Sequence, residues 1–346
     1  LNYRILPGSV HDVFTLNVYL KIFFRCGKLG RMIFKRKVSF LPALKTKARL
    51  LLLGPILFVS LFLAGNYWRG KSAGAQTAGY IGGYVFPVSA KWGEKVDFHL
   101  STNASRVKIE IFRQGVVQEK VAVVDEVKGT YFSCHHSEVG CFFPKVYSLT
   151  LDSRFRPGLY LAKFINKDAP LEEDLAYFVV KPDQPGSLSK IAVVLPLNTW
   201  EVHNFRDGRK VYPSPYEPGY EDRARTASFL RPWADICSNL ELGYPIGGPA
   251  YIWWLESQGY FPEYLTDIDL DKNPAILSNY RVGISLAHHE YWSWRMRDAV
   301  ENYLNNGGNF LFLSGNVSWW QVRYDDDYSL IRVYKLKEED PYYLDS

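Results

Sequence analysis

The sequence predicts an α+β multidomain protein with three parts in order: a membrane segment, a β-sandwich, and a doubly wound α/β domain with a mostly parallel sheet. Three observations lead to this prediction: an uncharged apolar run near residue 50, short alternating strands from about residue 80, and strands that alternate with helices from about residue 185. The 346 residues are 47% hydrophobic and 22% charged, a composition that can bury a sizeable core. Disordered, collagen-like and coiled-coil classes are therefore excluded.

The basic charge of the chain is concentrated at its N-terminal end. Residues 1–49 contain eleven Lys and Arg residues and one acidic residue, Asp12, whereas the remainder is net acidic. The body of the protein therefore lacks the polycationic composition that nucleic-acid binding requires. We predict a basic cytoplasmic tail over residues 1–49. Residues 1–31, which precede the first methionine, Met32, are compatible with upstream sequence that is untranslated in the native protein.

Residues 50–68 form the predicted membrane segment. The run from Leu50 to Gly65 carries no charge and, extended through Trp68, reaches the length that spans a bilayer. Basic residues crowd its N-terminal side, so the positive-inside rule predicts a single-pass cell-membrane protein with a cytoplasmic N-terminus and an exported body. We favour an uncleaved signal-anchor. The alternative is a signal peptide that begins at Met32, is cleaved near Ala73 and releases a secreted protein.

A Gly- and Ala-rich linker over residues 69–79 leads into the predicted β-sandwich over residues 80–184. Six segments alternate apolar and polar residues or are rich in β-branched and aromatic types, and turn residues separate them. These segments are 95–101, 107–112, 121–124, 147–151, 158–165 and 176–180. Such spacing without helical periodicity is typical of an antiparallel, immunoglobulin-like sandwich.

Cys134 and Cys141 lie close together within the predicted sandwich. Outside the cytoplasm they are expected to pair in a disulfide that closes a small loop. His135 and His136, which follow Cys134, could serve as metal ligands. A stapled surface loop with solvated imidazoles is the favoured interpretation.

Strands and helices alternate after residue 185 and predict the α/β domain over residues 185–346. Met296, Val300 and Tyr303 define one face of a helix, and a strand–helix–strand unit with such short connections requires a right-handed parallel crossover. The predicted strands are 190–195, 264–267, 281–287 and 309–313, and a further aromatic-rich helix is predicted at 250–258.

Polar clusters follow three of these predicted strands. They are residues 198–204 (NTWEVHN), 288–292 (HHEYW) and 314–316 (SGN). Ligands of an open parallel sheet bind outside the carboxyl ends of the strands, so we expect the three clusters to converge at one edge. His, Glu and Asn side chains brought together there could form a mononuclear metal site with an open position. The interpretation without chemistry is a hydrogen-bonded structural pair of His288 and Glu290.

Other catalytic patterns are absent from the sequence. No cysteine follows a strand of the predicted sheet, and Cys237, between helix-forming residues, is expected to be a buried apolar residue. No GxSxG motif occurs, and Ser314 lacks the preceding glycine of such a motif. Asp267 and Asp269 are expected to cap a helix or turn rather than act as paired catalytic carboxylates.

Longer segments of the chain resemble a known family. Between Tyr264 and Arg323, TDIDL, YRVGISLAHHEYWSWRMRDAV and GGNFLFLSGNVSWWQVR resemble the C-terminal domain of the N,N-dimethylformamidase large (beta) subunit. GYVFPVSAKWGEKVDFHLST, VKIEIFRQG and SLTLDSRFRPGLYLAKF are similar to the domain that precedes it in relatives. Because little sequence follows WWQVR, the resemblance implies a C-terminally truncated member whose α/β domain is incomplete.

The resemblance implies a mononuclear iron held by two tyrosines and one glutamate, with a histidine and an asparagine close to it. The family glutamate corresponds to Glu290. The histidine corresponds to His288 and the asparagine to Asn316, and both are catalytic candidates here.

The two family tyrosines match this sequence less well. The first belongs to a TWxxYN-like motif, which reads TWEVHN here, so His203 occupies its place and Thr199 is a further catalytic candidate. The second corresponds loosely to Tyr212, with Tyr216 and Tyr220 as alternatives. A neutral imidazole in place of a phenolate would leave the site with one more positive charge.

The resemblance therefore implies a metal-dependent hydrolase of C–N bonds in linear amides, with iron as the cofactor and zinc as the alternative. A metal bound by Glu290, Tyr212 and His203 would act as a Lewis acid and lower the pKa of a bound water. His288 and Asn316 would orient that water or stabilise the oxyanion.

The alternative function is a non-catalytic envelope or glycan-binding module with a vestigial metal site. Aromatic side chains at the sheet edge would then stack on the ligand. The alternative is that these side chains only pack the core. They are Trp200, Trp292, Trp294, Trp319 and Trp320. The expected partners are a small-molecule amide or an envelope ligand, and the membrane through residues 50–68, but no nucleic acid. The sequence indicates no oligomeric state.

Overall fold

The computed structural model describes residues 80–204, 206–209, 211–212, 221–233 and 247–343. Most of the regular secondary structure in these residues is β-strand, with a few short helices. Eight strands precede residue 184: β1 (Ile81–Phe86), β2 (Ser89–Ala90), β3 (Lys95–Thr102), β4 (Val107–Arg113), β5 (Glu119–Val127), β6 (Lys145–Thr150), β7 (Gly158–Asn166) and β8 (Glu173–Val180).

The eight strands form two sheets, in the orders β1-β3-β6 and β2-β8-β7-β4-β5. Neighbouring strands are antiparallel except β2, which runs parallel to β8. Side chains of both sheets share one core, in which Phe98 and Leu100 of β3 meet Ile109 of β4 and Phe178 of β8. In β3, Phe98 and Leu100 alternate with the more exposed Asp97 and His99, which is the period-2 pattern that identified this strand in the sequence.

The second half contains two further sheets. Its elements are β9 (Ile191–Leu195), α1 (Leu197–His203), β10 (Thr226–Ser228), α2 (Gly247–Ser257), β11 (Glu263–Thr266), α3 (Asp267–Lys272), a 3₁₀ turn (Ile276–Asn279), β12 (Val282–His288), β13 (Tyr291–Ser293), α4 (Trp294–Asn305), β14 (Asn309–Gly315), β15 (Trp320–Tyr324) and β16 (Leu330–Arg332). One sheet, in the order β11-β9-β12-β14, is parallel throughout. The other, β10-β16-β15-β13, is mixed, because only β13 and β15 run parallel.

The prediction of a doubly wound domain with a mostly parallel sheet was wrong. In the described residues strands outnumber helices, and the parallel sheet has four strands beside a mixed sheet of equal size. The mixed sheet includes an antiparallel hairpin of β15 and β16, whose turn is closed by the Tyr328 N–H donating to the Asp325 carbonyl. Its strands of three to five residues are too short to show a period in the sequence.

The predicted single-pass membrane localisation is corrected as well. No helix in the part of the chain that the structure describes is long and apolar enough to cross a membrane. The segment 50–68, on which that prediction rested, lies outside the described residues.

Side-chain caps fix where two of the helices begin. Thr266 starts α3 by accepting a hydrogen bond from the Asp269 N–H, while the Asp269 carboxylate accepts from the Thr266 N–H at 2.9 Å. Asp269 is thus a helix cap, as predicted. Ser293 starts α4, where its hydroxyl oxygen accepts from the Met296 N–H at 3.1 Å.

A single core extends across the predicted domain boundary at residue 184. Leu161 of β7 and Val179 of β8 belong to the same apolar cluster as Val193 of β9. A buried ion pair also crosses the boundary, from Arg113 of β4 to Glu256 of α2 at 2.7 Å. The sheets before and after residue 184 therefore pack as one body.

The structure joins Cys134 and Cys141 by a disulfide that closes a short loop. The loop packs on a later segment, since the Cys141 N–H donates to the Leu230 carbonyl at 2.7 Å and Arg209 pairs with Glu138 at 3.2 Å. His136 is mostly exposed, and its Nδ1 lies 3.4 Å from Glu138.

Candidate active site

The candidate site lies where the strands β9 and β12 end. Helix α1 follows β9 after one residue, Pro196, and all seven of its residues are buried. β12 ends in the segment that carries His288 and Glu290. Ala287, the residue before His288 in β12, has a left-handed backbone with φ of 62°, which is uncommon for a residue other than glycine.

Two imidazoles converge on one oxygen of Glu290. His203 Nε2 lies 3.4 Å, and His288 Nε2 3.1 Å, from Glu290 Oε2. Glu290 and His203 are buried, with 4% and 7% of their surfaces exposed, whereas His288 is partly exposed. The strand-end rule therefore correctly anticipated that these three residues meet.

The charges in this group depend on one another. Burial raises the pKa of Glu290, but the hydrogen bonds to His203 and His288 outweigh it and lower that pKa to about 2. Burial lowers the pKa of His203, and the nearby Glu290 carboxylate only partly offsets this. At neutral pH the group thus contains an ionised carboxylate beside a neutral His203 imidazole.

The backbone of Glu290 is held on both sides. Its N–H donates to the Thr199 hydroxyl of α1 at 3.0 Å, and its carbonyl accepts from the Trp320 N–H of β15 at 3.0 Å. Thr199 is fully buried, so its contact is with the chain that carries Glu290. The parallel and the mixed sheet together position this carboxylate.

Tyr212 and Lys335 complete the surroundings of His203. The rings of Tyr212 and His203 are 4.3 Å apart and tilted by 41°. Lys335 Nζ donates to the Tyr212 carbonyl at 2.6 Å and lies 5.0 Å from the Trp320 ring. The Lys335 ammonium also contributes to the lowered pKa of His203.

Asn316 follows the end of β14 and has a left-handed backbone, with φ of 49°. Its side chain is exposed. In register, His288 of β12 lies opposite Gly315, the residue before Asn316. Asn316 is thus near the His288 end of the site, but no hydrogen bond in the described part of the chain joins it to Glu290 or His203.

The donor types at the site suit a metal ion. Carboxylate and phenol oxygens and imidazole nitrogens are ligands of iron and zinc. Among the described residues, no three His, Cys, Asp or Glu side chains are arranged to hold a metal. The set that the resemblance implied includes a donor of another type, the phenol of Tyr212, whose ring packs against His203.

The remaining predicted residues do not gather at this site. Tyr216, Tyr220 and Cys237 lie outside the described residues. The predicted tryptophans divide between core and surface: Trp200 and Trp292 are buried, Trp320 is half-buried, and Trp294 and Trp319 are 55% and 67% exposed.

Lys335 is the residue of the site that sequence reasoning missed. It is only 7% exposed, although lysine is rarely buried. The segment VYKLK, which contains it, alternates apolar residues and lysines, and this was the available signal that Lys335 lies within a strand-like, half-buried stretch.

Comparison with known proteins gives one match over most of the chain. Residues 108–345 match the family described as N,N-dimethylformamidase beta subunit-like, C-terminal. Over 70 residues, the chain is 36% identical to the N,N-dimethylformamidase beta subunit of Alcaligenes sp and 34% identical to that of Paracoccus aminophilus. Each of these alignments covers 20% of this chain and 9% of the relative, so the similarity spans a small part of either curated protein.

Among solved structures, Pseudomonas fluorescens alkylpurine DNA glycosylase AlkC, bound to DNA containing an abasic site analog, is similar over 30% of each chain. The identity is 12% and the TM-score 0.20. A likeness of this size supports no statement about fold or function.

Proposed function

Because the chain belongs to the N,N-dimethylformamidase beta subunit-like, C-terminal family, we propose that it hydrolyses the C–N bond of small linear amides. Membership of the family was correctly predicted from the sequence. The observation that carries the proposal is the convergence of His203 and His288 on one oxygen of Glu290, at the sheet edge where ligands of parallel sheets bind.

We assign a metal ion to Glu290, His203 and Tyr212, with iron first and zinc as the alternative. When bound, the metal supplies Lewis-acid chemistry at the amide carbonyl. The ionised Glu290 is a suitable ligand because its low pKa keeps it charged at neutral pH. His203 is a suitable ligand because burial keeps its imidazole neutral.

His288 is the proposed acid–base group. It is partly exposed, and the Glu290 carboxylate, 3.1 Å from its Nε2, fixes the orientation of the ring. His288 accepts a proton from water as the water oxygen bonds to the carbonyl carbon, and returns it to the nitrogen as the C–N bond breaks. The products are a carboxylic acid and an amine.

Asn316 and Thr199 have supporting roles in this proposal. The exposed Asn316 amide donates a hydrogen bond to the carbonyl oxygen as negative charge develops on it. Thr199 is a positioning residue, because its hydroxyl accepts from the Glu290 N–H and contacts the chain rather than the substrate.

Metal analysis of the purified protein tests the proposal. We expect one iron or zinc per chain in the wild type, retained in His136→Ala, which removes an imidazole beside a carboxylate elsewhere. Glu290→Ala should lose the metal and the release of amine from N,N-dimethylformamide. A well-folded wild type that binds neither iron nor zinc would contradict the proposal.

The substitution His203→Tyr examines the departure from the family pattern. If His203 is a ligand, an added phenolate should deepen the visible charge-transfer colour of the iron-loaded protein. Hydrolysis of formamides is expected to rise with it. An unchanged spectrum and metal content would exclude His203 from the ligand set.

A non-catalytic glycan-binding module is the second candidate function. It is favoured by Trp294 and Trp319, whose rings are largely exposed and could stack on a sugar. Binding of soluble oligosaccharides that is lost in both Trp294→Ala and Trp319→Ala, in a protein without metal, would support this candidate over the hydrolase.

A further inference from the structure

A second group of polar side chains lies on the other face of the parallel sheet. Successive residues of β9 face opposite sides: Val193 belongs to the apolar cluster that contains Tyr291, and Val194 to the cluster that contains Trp292. The His289 ring lies 5.0 Å from the Trp292 ring. His289 is therefore separated by the sheet from the cluster that underlies the candidate active site.

His289 is the centre of a chain of four hydrogen-bonded side chains, which we call the Ser314 relay. Its Nε2 lies 2.5 Å from Asp267 Oδ1, and its Nδ1 lies 2.8 Å from Ser285 Oγ. Ser285 Oγ in turn lies 2.6 Å from Ser314 Oγ. Asp267, His289 and Ser285 are fully buried.

An ionised Asp267 would fix the direction of these hydrogen bonds. A carboxylate only accepts, so His289 Nε2–H donates to Asp267 and leaves Nδ1 as an acceptor for the Ser285 hydroxyl. The Ser285 oxygen can then accept from Ser314. Burial raises the pKa of Asp267, and His289 and the Asn198 N–H, which donates to its second oxygen at 2.7 Å, offset this only in part.

Ser314 is the accessible end of the relay. It lies near the carboxyl end of β14 and is partly exposed, whereas Ser285 has no exposed surface. β14 ends at Gly315, and the chain turns immediately afterwards at the left-handed Asn316. In serine acyl transferases an imidazole backed by a carboxylate contacts the nucleophilic hydroxyl directly. Here Ser285 lies between the imidazole of His289 and the hydroxyl of Ser314, so a proton would pass through one additional hydroxyl.

We propose that Ser314 is the nucleophile of a second, metal-independent acyl-transfer site that acts on small esters. Ser314 Oγ bonds to the ester carbonyl carbon while its proton passes to Ser285, whose own proton passes to His289 Nδ1. The carbon–alkoxide bond breaks, and the alcohol leaves with the proton returned through the relay. Water then adds to the acyl-serine by the same route, releasing a carboxylic acid and the free Ser314 hydroxyl.

Labelling with a fluorophosphonate tests this site directly. The Ser314 oxygen should displace fluoride and form one O–P bond, and mass spectrometry of the peptide should place the adduct on Ser314. Ser314→Ala removes the nucleophile and should abolish the adduct. Ser285→Ala interrupts proton transfer to His289 and should lower the labelling rate at least about tenfold, as is typical when a positioned proton acceptor is lost. Hydrolysis of p-nitrophenyl acetate should fall in parallel.

Ser318→Ala is the matched control, because Ser318 is a partly exposed serine in the same turn. It should label at the wild-type rate, and so should protein treated with a chelator, since no metal takes part. The proposed amidase activity should be lost in the chelator. The experiment therefore distinguishes failure of the esterase proposal from failure of the amidase proposal. An adduct on another residue, or no adduct on protein with a native circular dichroism spectrum, would overturn the proposal.

Discussion

The Glu290 carboxylate makes the stability of the metal-free protein depend on pH. Its pKa is about 2 in the folded state, below the 4.5 of an unperturbed glutamate. A lowered pKa contributes stability that is present above pH 4.5 and is lost as the pH falls toward 2. We expect this residue to account for a loss of about 3 kcal/mol in the free energy of unfolding between those values.

Urea denaturation at several pH values, in the presence of a chelator, measures this loss. Glu290→Gln should lack this loss. Glu221→Gln, at an exposed position, should show the same dependence of the free energy of unfolding on pH as the wild type. If the free energy of unfolding depended on pH equally in the wild type and in Glu290→Gln, the two imidazoles would not stabilise the carboxylate.

At the level of single residues, the sequence predicted the contacts that follow from where neighbouring parallel strands end. His203, His288 and Glu290 meet because β9 and β12 are parallel neighbours and end at one edge. Lys335 was missed because it follows β16, whose position in the mixed sheet depends on tertiary pairing. Nothing local in the sequence relates residue 335 to His203.

Helix α4 depends on its first side chain. The buried Ser293 caps the helix and also donates to Asp271. Ser293→Ala should lower the free energy of unfolding by about 1–2 kcal/mol, because an N-cap and a buried hydrogen bond are both lost. Ser278→Ala, at an exposed hydroxyl in the 3₁₀ turn, should cost less than about 0.5 kcal/mol. Similar costs for the two variants would contradict the capping role.

The strand β14 is an exposed edge of the parallel sheet within the described residues. Leu311, Phe312 and Leu313 are 48%, 46% and 38% exposed on it. An apolar edge strand favours pairing between chains. Leu311→Lys should therefore weaken self-association about tenfold in sedimentation velocity, which corresponds to about 1.4 kcal/mol. Leu188→Lys, in the connection before β9, should leave it unchanged.

The length of a strand determined whether it could be predicted from the sequence. The strands β3 and β4 have eight and seven residues and alternate apolar and polar side chains, and β7 has nine residues that are mostly apolar. β10, β13 and β16 have three residues each, so their pairing is set by neighbours distant in sequence. The mixed sheet that they form was therefore not anticipated, and the share of parallel sheet was overestimated.

The two halves of the described chain should unfold together. Arg113 and Glu256 form a buried pair between them, and Tyr264 also donates to Glu256 at 3.0 Å. Arg113→Met should lower the free energy of unfolding by about 3–5 kcal/mol, because it leaves an unpaired buried carboxylate.

Adding Glu256→Gln to Arg113→Met removes that charge and should recover part of the loss. Urea denaturation followed by fluorescence and by circular dichroism should give one coincident transition in all three proteins. Two separate transitions in the wild type would contradict the shared core.

The left-handed backbone of Ala287 also restricts which sequences the site can explore. With φ of 62°, the position accepts glycine or asparagine readily, whereas valine and isoleucine would clash with their own backbone. One base change converts an alanine codon to a glycine codon. The left-handed position near the end of β12 can therefore be loosened by a single mutational step, without altering His288 or Glu290. Position 287 is accordingly a place where selection can adjust the rigidity of the site while its chemistry stays the same.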